Sequence, residues 1–338
     1  MKIGITGAAG GIGSCLADNL FELGFEIVLV DDLSSGQISN FKIIDNIESL
    51  NKIDIRDEEK LLKVFNGCTH IIHLAAISSL AACQLNPSQA MAINVGGTAS
   101  VSSVANKLGA ALIFASTSAI YENNHITPFS EEQSTSPNLV YPLSKKFSEE
   151  IINALSATNG LNFVILRFFN VFGPRQDVKR TNPPLVNYLI REHVLGKKSK
   201  TYAPNEQARD YIHVDDLLDF IKLWLKESKK LPNKTFNVCS GVPISLQEII
   251  ESIEKGLSEK IDTLKGEPEE LWEMYPELFS GGNPLNLKFV LKETLKNSIG
   301  DPNKAYLECG WRAERNVLKE IEKSTSEMKI HIRRSLGI

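Results

Sequence analysis

Three short segments, far apart in the chain, carry residue types that can do chemistry together. The first is Thr6-Gly7-Ala8-Ala9-Gly10-Gly11-Ile12-Gly13, with glycines at 7, 10 and 13. Lacking a Cβ, such positions let the backbone turn sharply and approach a pyrophosphate, whose charge then faces a helix N-terminus. The second is Ser116-Thr117-Ser118 and the third Tyr141-Pro142-Leu143-Ser144-Lys145. Tyr141 and Lys145 are four apart at an expected helix start, so they share a face, and Pro142 is tolerated in the first turn. A phenol with a reference pKa near 10 is a poor base, and bringing it near 7 takes roughly 4 kcal/mol of differential stabilisation. A lysine ammonium and a positively charged nicotinamide ring could supply it. A Thr117 hydroxyl bridging Tyr141 and a substrate oxygen would shorten the proton's path. The implied chemistry is oxidation of a carbon bearing a hydroxyl, with a dinucleotide taking the hydride. Each segment alone has a bland reading: a glycine turn, a strand-end cap, a surface pair. Their joint occurrence in this order is the signal.

Asp31 lies 18 residues beyond Gly13, at the end of a second expected strand. A carboxylate there accepts hydrogen bonds from ribose hydroxyls and repels a 2′-phosphate, which favours NAD over NADP. Asp32 beside it reads as a solvated turn. Asp54-Ile55, after another short strand, could contact adenine.

These residues must be positioned by a regular scaffold. Strands are expected at 2–6, 26–30, 70–74, 111–115, 162–167 and 235–238, and helices at 13–23, 61–65, 88–107, 142–157 and 316–334. The βαβα rhythm implies a parallel, doubly wound α/β sheet, because parallel neighbours need crossovers and these are usually helices. From about residue 171 prolines cluster (Pro174, Pro183, Pro184, Pro204) and the pattern becomes irregular. The expected division is a dinucleotide-binding domain over 1–170, with returning segments near 211–241, and a smaller, irregular substrate domain over 171–338. Residues 262–287, ending in Gly281-Gly282-Asn283-Pro284, read as surface helix plus loop.

The 338 residues suit one or two domains, and 42% hydrophobic with 23% charged content is ordinary for a soluble globular chain. A net charge of −4 gives no basic footprint for nucleic acid. The five cysteines at 15, 68, 83, 239 and 309 form no C-x-x-C pair, which argues against a disulfide framework or zinc site and fits a reducing cytoplasm. His73, His125 and His213 lie on different elements without ligand spacing, so no metal is expected. The apolar run after Lys2 breaks into glycines too early for a signal peptide, and no apolar stretch is long enough to span a bilayer.

The chain resembles the extended short-chain dehydrogenase/reductase family, especially its NAD-dependent nucleotide-sugar epimerases of the UDP-glucose 4-epimerase kind. Besides the three segments, the resemblance rests on Asp31-Asp32-Leu33-Ser34-Ser35-Gly36, Asp54-Ile55-Arg56, His73-Leu74-Ala75-Ala76, Asn94-Val95-Gly96-Gly97-Thr98, Leu166-Arg167-Phe168-Phe169-Asn170, Arg209-Asp210-Tyr211-Ile212-His213 and Asp301-Pro302-Asn303-Lys304. It implies a Rossmann fold with NAD held by Gly7, Gly10, Gly11, Ile12, Gly13, Asp31, Asp54, Ile55, Asn94, Lys145 and Phe169. It implies Thr117, Tyr141 and Lys145 as catalytic residues, and Asn170 and Arg209 as ligands of the substrate's nucleoside diphosphate, most simply a UDP-sugar. An ion pair with an acidic residue is the alternative reading of Arg209. The resemblance further implies a homodimer formed through helices 88–107 and 142–157, and the cysteine usage places it in the cytoplasm.

Family members that dehydrate carry Asp-Glu after the threonine, and decarboxylating members a glutamate two positions on. Here Ser118-Ala119 follow Thr117, which favours epimerisation, through a transient 4-keto sugar. An NAD(P)-dependent reductase, an epimerase acting at another carbon, and a non-catalytic NAD-binding sensor are the competing functions. Three departures from the family pattern fall on the substrate side: Glu122 after Tyr121, Ala203-Pro204-Asn205 before Glu206-Gln207, and no second arginine shortly before Asp301, where Lys288 or Lys292 could stand in.

Overall fold

A computed structural model describes residues 1–42, 50–202, 204, 207–228, 233–280, 282 and 284–338. Ala203, Asn205 and Glu206 of the substrate-side departure, and Gly281 and Asn283 of the expected loop, lie outside them. The strands are β1 Lys2–Thr6, β2 Glu26–Asp31, β3 Leu50–Lys52, β4 His70–His73, β5 Ala111–Thr117, β6 Phe163–Phe168, β7 Asn170–Phe172, β8 Ser199–Thr201, β9 Ala208–His213, β10 Lys234–Val238, β11 Pro243–Ser245 and β12 Thr263–Lys265. The helices are α1 Gly11–Glu22, α2 Glu58–Val64, α3 Leu80–Leu85, α4 Pro87–Met91, α5 Gly97–Leu108, α6 Val140–Asn159, α7 Leu185–Val194, α8 Val214–Glu227, α9 Leu246–Leu257, α10 Glu270–Glu273, α11 Leu287–Leu295, α12 Asn303–Cys309 and α13 Val317–Leu336. None is long and apolar enough, among the described residues, to cross a membrane.

The chain divides into two compact units. The first comprises Met1–Tyr121, Ser134–Phe168 and Leu218–Asn237; the second comprises Glu122–Gln133, Phe169–Leu217 and Val238–Ile338.

The first unit holds a seven-stranded sheet in the order β10-β6-β5-β4-β1-β2-β3, with parallel pairing from β6 through β3. Both faces of such a sheet are covered, so its strands read as apolar runs: all seven residues of β5 and all four of β4 are buried. Phe65, Ile71, Leu112, Phe114 and Ile165 pack with Val101 and Val104 of α5 into one core. The strand order reverses between β1 and β4, and the carboxyl ends beside such a reversal are where doubly wound sheets bind ligands.

The helix expected over 88–107 is interrupted. α4 and α5 are joined by a π turn at Ala92–Gly96. The carbonyl of Asn94 accepts the side-chain hydroxyls of Thr98 (2.5 Å) and Ser148 (3.0 Å), and hydroxyls competing for a helical carbonyl in this way widen the turn.

The second unit carries a three-stranded sheet, β11-β9-β7, and the parallel pair β12 with β8. Its core is formed by α7, α9 and α13 through Leu189, Ile190, Ile249, Ile253, Ile321 and Ile332. Residues 262–287 contain more order than surface helix plus loop: β12 pairs in register with β8, and Lys200 Nζ meets Glu270 of α10 at 2.9 Å. Three residues are too short a strand for periodicity to reveal.

A Cβ on Gly4, in the middle of β1, would lie 2.6 Å from the ring of Phe65. Gly4→Val should lower folding stability by about 1–3 kcal/mol through overpacking, read as a fall in urea midpoint at unchanged m-value. An unchanged midpoint would show that the ring yields freely.

Candidate active site

The glycine segment leaves β1 and opens α1. Gly7 has φ +69°, and a Cβ there would stand 2.7 Å from the Ala75 amide nitrogen that follows β4. Gly10 N donates to Gly7 O (3.1 Å), and a Cβ on Gly13 would strike that same carbonyl. Gly10, the residue before α1, provides no side-chain cap, and the first turn of α1 carries no acidic residue. The N–H groups of Gly11, Ile12 and Gly13, which precede the first intrahelical acceptor, therefore suit an anionic pyrophosphate, and the glycines leave it room to approach. The residues present fit NAD.

Asp31 closes the next strand over. Its carboxylate accepts from Ala9 N (2.9 Å) and Leu33 N (2.8 Å), which ties the glycine loop to the turn after β2. Burial raises its pKa, against the two backbone hydrogen bonds. A Cβ on Gly36 would fall 2.9 Å from both carboxylate oxygens, so only a glycine fits beside the carboxylate there. Asp32 instead caps Ser34, an exposed turn as expected. Asp54 is gripped by the Arg56 guanidinium, which lowers its pKa, and Ile55 is buried against Gly97 of α5. The Asn94 side chain accepts from Ile77 N (2.8 Å) and donates to Ile77 O and Ser144 Oγ (both 3.0 Å), clamping the loop after β4 to α6.

The proton-transfer residues belong to β5 and α6. Thr117 is the last residue of β5, and its Oγ1 accepts from Ala119 N (3.1 Å), which leaves the hydroxyl proton to donate elsewhere. Tyr141 lies in the first turn of α6 and is partly buried. Lys145, one turn on, is 4% exposed. Its ammonium donates to Ala115 O (2.7 Å) and stands 4.8 Å from the Phe114 ring centroid. Burial brings its pKa down to about 8, opposed by the acidic groups of Cys83 and Glu149.

Residues 3–239 match the family described as the NAD dependent epimerase/dehydratase family. The chain belongs to that family. It is 30% identical over 260 residues to a UDP-glucose 4-epimerase of Mycolicibacterium smegmatis, covering 75% of this chain and 82% of the relative. With a UDP-glucose 4-epimerase of Streptomyces lividans it shares 29% identity over 264 residues, 74% of this chain and 79% of the relative. The solved UDP-glucose 4-epimerase of Thermotoga maritima, crystallised with UDP-glucose, superposes at TM-score 0.83 with 25% identity, covering 99% of this chain and 100% of that one. The resemblance read from the motifs and the doubly wound fold are thereby established.

The remaining expected residues lie in the second unit. Phe169 is buried, and its backbone N–H donates to Val238 O (3.1 Å). Asn170, on β7, donates to Asp210 O (2.6 Å). Arg209, on β9, donates through one terminal nitrogen to the carbonyls of Glu293 (2.8 Å) and Thr294 (3.1 Å), with the Glu293 carboxylate 3.9 Å from the other. The acidic partner that sequence analysis ranked second is therefore present. Lys292, considered as a second cation, donates to Asn123 Oδ1 (2.7 Å).

Sequence reasoning missed the buried polar groups beneath the site. Glu149 and Arg167 pair at 2.8 Å, and Glu149 lies four residues after Lys145, a spacing that extends the 141/145 stripe by another turn. His73, expected to pack, is held between Thr6 Oγ1 (2.7 Å) and Thr98 Oγ1 (3.1 Å). Thr98 already donates to Asn94 O, so it must accept from His73 Nε2–H, and Nδ1 then accepts from Thr6. No group of three or more His, Cys, Asp or Glu that could hold a metal occurs among the described residues.

Burial, with Lys145 adding to it, lowers the His73 pKa to about 3 from an ordinary 6.5. An unfolded chain protonates this imidazole near 6.5 and the folded one only near 3. The stability it contributes is full above 6.5 and is lost as pH falls toward 3. His73→Asn should be destabilised at pH 7 and show a flatter decline in urea midpoint between pH 6.5 and 4 than wild type. Parallel declines would assign the pH dependence to other groups.

Proposed function

We propose that the protein inverts the configuration at C4 of a nucleoside-diphosphate sugar, most simply a UDP-sugar, using bound NAD. The observation that carries this reading is the buried Lys145 ammonium, fixed on the Ala115 carbonyl two residues before Thr117 and one helical turn from Tyr141. Relatives named for 4-epimerisation of UDP-sugars support the substrate class.

Bound NAD supplies a hydride acceptor and, on the return, a hydride donor. Tyr141, as phenolate, takes the proton of the C4 hydroxyl, and Lys145 lowers the energy of that phenolate through its positive charge. Thr117 donates its free hydroxyl proton to the substrate oxygen and keeps it within reach of Tyr141. Tyr141 returns the proton once the 4-keto sugar has presented its other face, so no net oxidation occurs. Asp31 holds the adenosine ribose, and the glycine loop with the N-terminus of α1 holds the pyrophosphate. Asp54, Ile55, Asn94 and Phe169 line the cofactor in this reading, and Asn170 with Arg209 holds the substrate diphosphate. The first unit is the cofactor domain and the second the substrate domain. Ser118 and Ala119 provide no acid or base for dehydration or decarboxylation.

We take the protein to be a cytoplasmic homodimer. The support is the exposed Phe147 on α6, and no disulfide joins the cysteines among the described residues. Light scattering at micromolar concentration should return twice the chain mass.

Incubation with a panel of UDP-, GDP-, CDP- and dTDP-sugars, followed by proton NMR, should reveal inversion at C4 with no accumulation of NADH. Tyr141→Phe should lose activity by at least about a hundredfold, the size of a general-base contribution. Net NADH formation, or a fully active Tyr141→Phe, would refute the proposal. Lys145 must be cationic to stabilise the phenolate and is protonated below about 8, so kcat should decline as pH rises through that value.

A further inference from the structure

Thr117 sits between two residues that are anchored to one buried ion pair. Glu149 of α6 and Arg167 of β6 are 6% and 8% exposed. Arg167 clasps both carboxylate oxygens, Nε to Oε1 at 3.1 Å and Nη2 to Oε2 at 2.8 Å. Ser116, just before Thr117, donates from Oγ to Glu149 Oε1 (2.5 Å). Tyr121, which ends the 3-10 turn Ser118–Tyr121 that follows Thr117, accepts from Arg167 Nη1 at 2.7 Å and donates to Asn237 Oδ1 of β10 at 2.9 Å. The Arg167 guanidinium also stands 5.3 Å from the Tyr121 ring centroid. All these residues belong to the first unit.

Two side chains of α6 thus reach β5 one helical turn apart: Lys145 to Ala115 O, and Glu149 to Ser116 Oγ. A bidentate Arg–carboxylate pair fixes direction as well as distance. We infer that the Glu149–Arg167 pair is a positioning element for the reaction, holding Thr117 from both sides and setting α6 so that Tyr141 and Lys145 face it. The inference rests on the proposed roles of those three residues.

The pair also acts on charge. Among the described residues, Lys145 interacts with Cys83 on α3, His73 on β4 and Glu149 on its own helix, with Tyr141 one turn before it and Arg167 of β6 paired to Glu149. Burial raises Cys83 to about 11 and lowers His73 to about 3, so both are neutral at neutral pH. Glu149 is the carboxylate that favours the lysine's charged form. Neutralising it removes that support and leaves the Arg167 cation uncompensated nearby, and both changes disfavour the ammonium.

Four variants test this: Ser116→Ala and Tyr121→Phe, which each cut one tether and keep the ion pair, and Glu149→Gln and Glu149→Asp. The readouts are thermal midpoint, kcat and KM on the nucleotide sugar that wild type turns over, and the titration midpoint of Lys145 by lysine ¹⁵N NMR. Each tether variant should lower kcat by about tenfold while KM stays within about twofold, as misplacement at the reacting centre does. Glu149→Gln should move both the Lys145 midpoint and the alkaline limb of kcat to lower pH, and Glu149→Asp should bring the midpoint back. If Glu149→Gln does not fold, the two tether variants decide. Wild-type kcat in both tether variants, or a Lys145 midpoint unmoved in folded Glu149→Gln, overturns the inference. A fully active Tyr141→Phe instead removes the parent reading. The NMR titration needs no substrate, and it still decides whether Glu149 holds the charge on Lys145.

Discussion

Burying a lysine ammonium is costly unless its protons find acceptors and its charge finds compensation. Lys145 meets that requirement with the Ala115 carbonyl, the face of Phe114 and the carboxylate one turn along its helix. The solution dictates much of the first unit. A carbonyl of β5 can accept from α6 only if strand and helix are held at fixed distance and register. The same contact makes Thr117 the strand's final residue beside the helix's first turns. The charge remains strained: a pKa near 8 leaves it close to neutral conditions, where a small change in surroundings alters the balance. A group poised in this way can tune a phenol, whereas a freely solvated lysine would have most of its field screened.

The cofactor side is built from the same architectural fact, that parallel strands end together. Gly7 follows β1, Asp31 ends β2, Ala75 follows β4 and Thr117 ends β5, so one edge of the sheet collects residues far apart in sequence. Close approach does the rest. Gly7 fits only because it has no Cβ against Ala75, Gly13 because it has none against the Gly7 carbonyl, and Gly36 because it has none against Asp31. Asp31 is a strut of the loop. Its carboxylate takes two backbone N–H groups through different oxygens and retains lone pairs on each.

Legibility in the sequence follows from how local each feature is. β1, β5 and β6 were readable as apolar runs, and α1 and α6 were bounded by glycine and proline signals. The strand–glycine–helix context and the Tyr141/Lys145 spacing carried the catalytic reading because both are short-range. The π turn at Asn94 was hidden, since it arises from a hydroxyl of Ser148 fifty-four residues away competing for one carbonyl. Glu149 and Arg167 were hidden for a different reason. A charged residue within a helix or at a strand end reads by default as solvated, and only the tertiary pairing of α6 with β6 makes it buried and bidentate. β12 escaped because its only regular feature is its pairing with β8.

The second unit shows why a side chain fixed by long-range contacts is harder to read than a glycine loop. Asp210 is fully buried and accepts from Ser240 N and Oγ, Gly241 N and Gly300 N, at 2.7 to 3.1 Å. Burial outweighs those bonds and brings its pKa to about 6. This knot fixes β9 against the turn after β10 and the segment before α12, and so fixes where Arg209 can project. The Arg209 guanidinium then rests on the carbonyls of Glu293 and Thr294, at the negative end of the α11 dipole. Both carbonyl contacts use one terminal nitrogen, and the other stands 3.9 Å from the Glu293 carboxylate. An arginine anchored in this way has a fixed guanidinium, so little rotamer entropy remains to be lost in any further contact. None of this is a motif. It depends on where the chain between residues 262 and 296 returns to β9. A segment of this kind can change in length and path while the parallel sheet and its strand ends stay as they are.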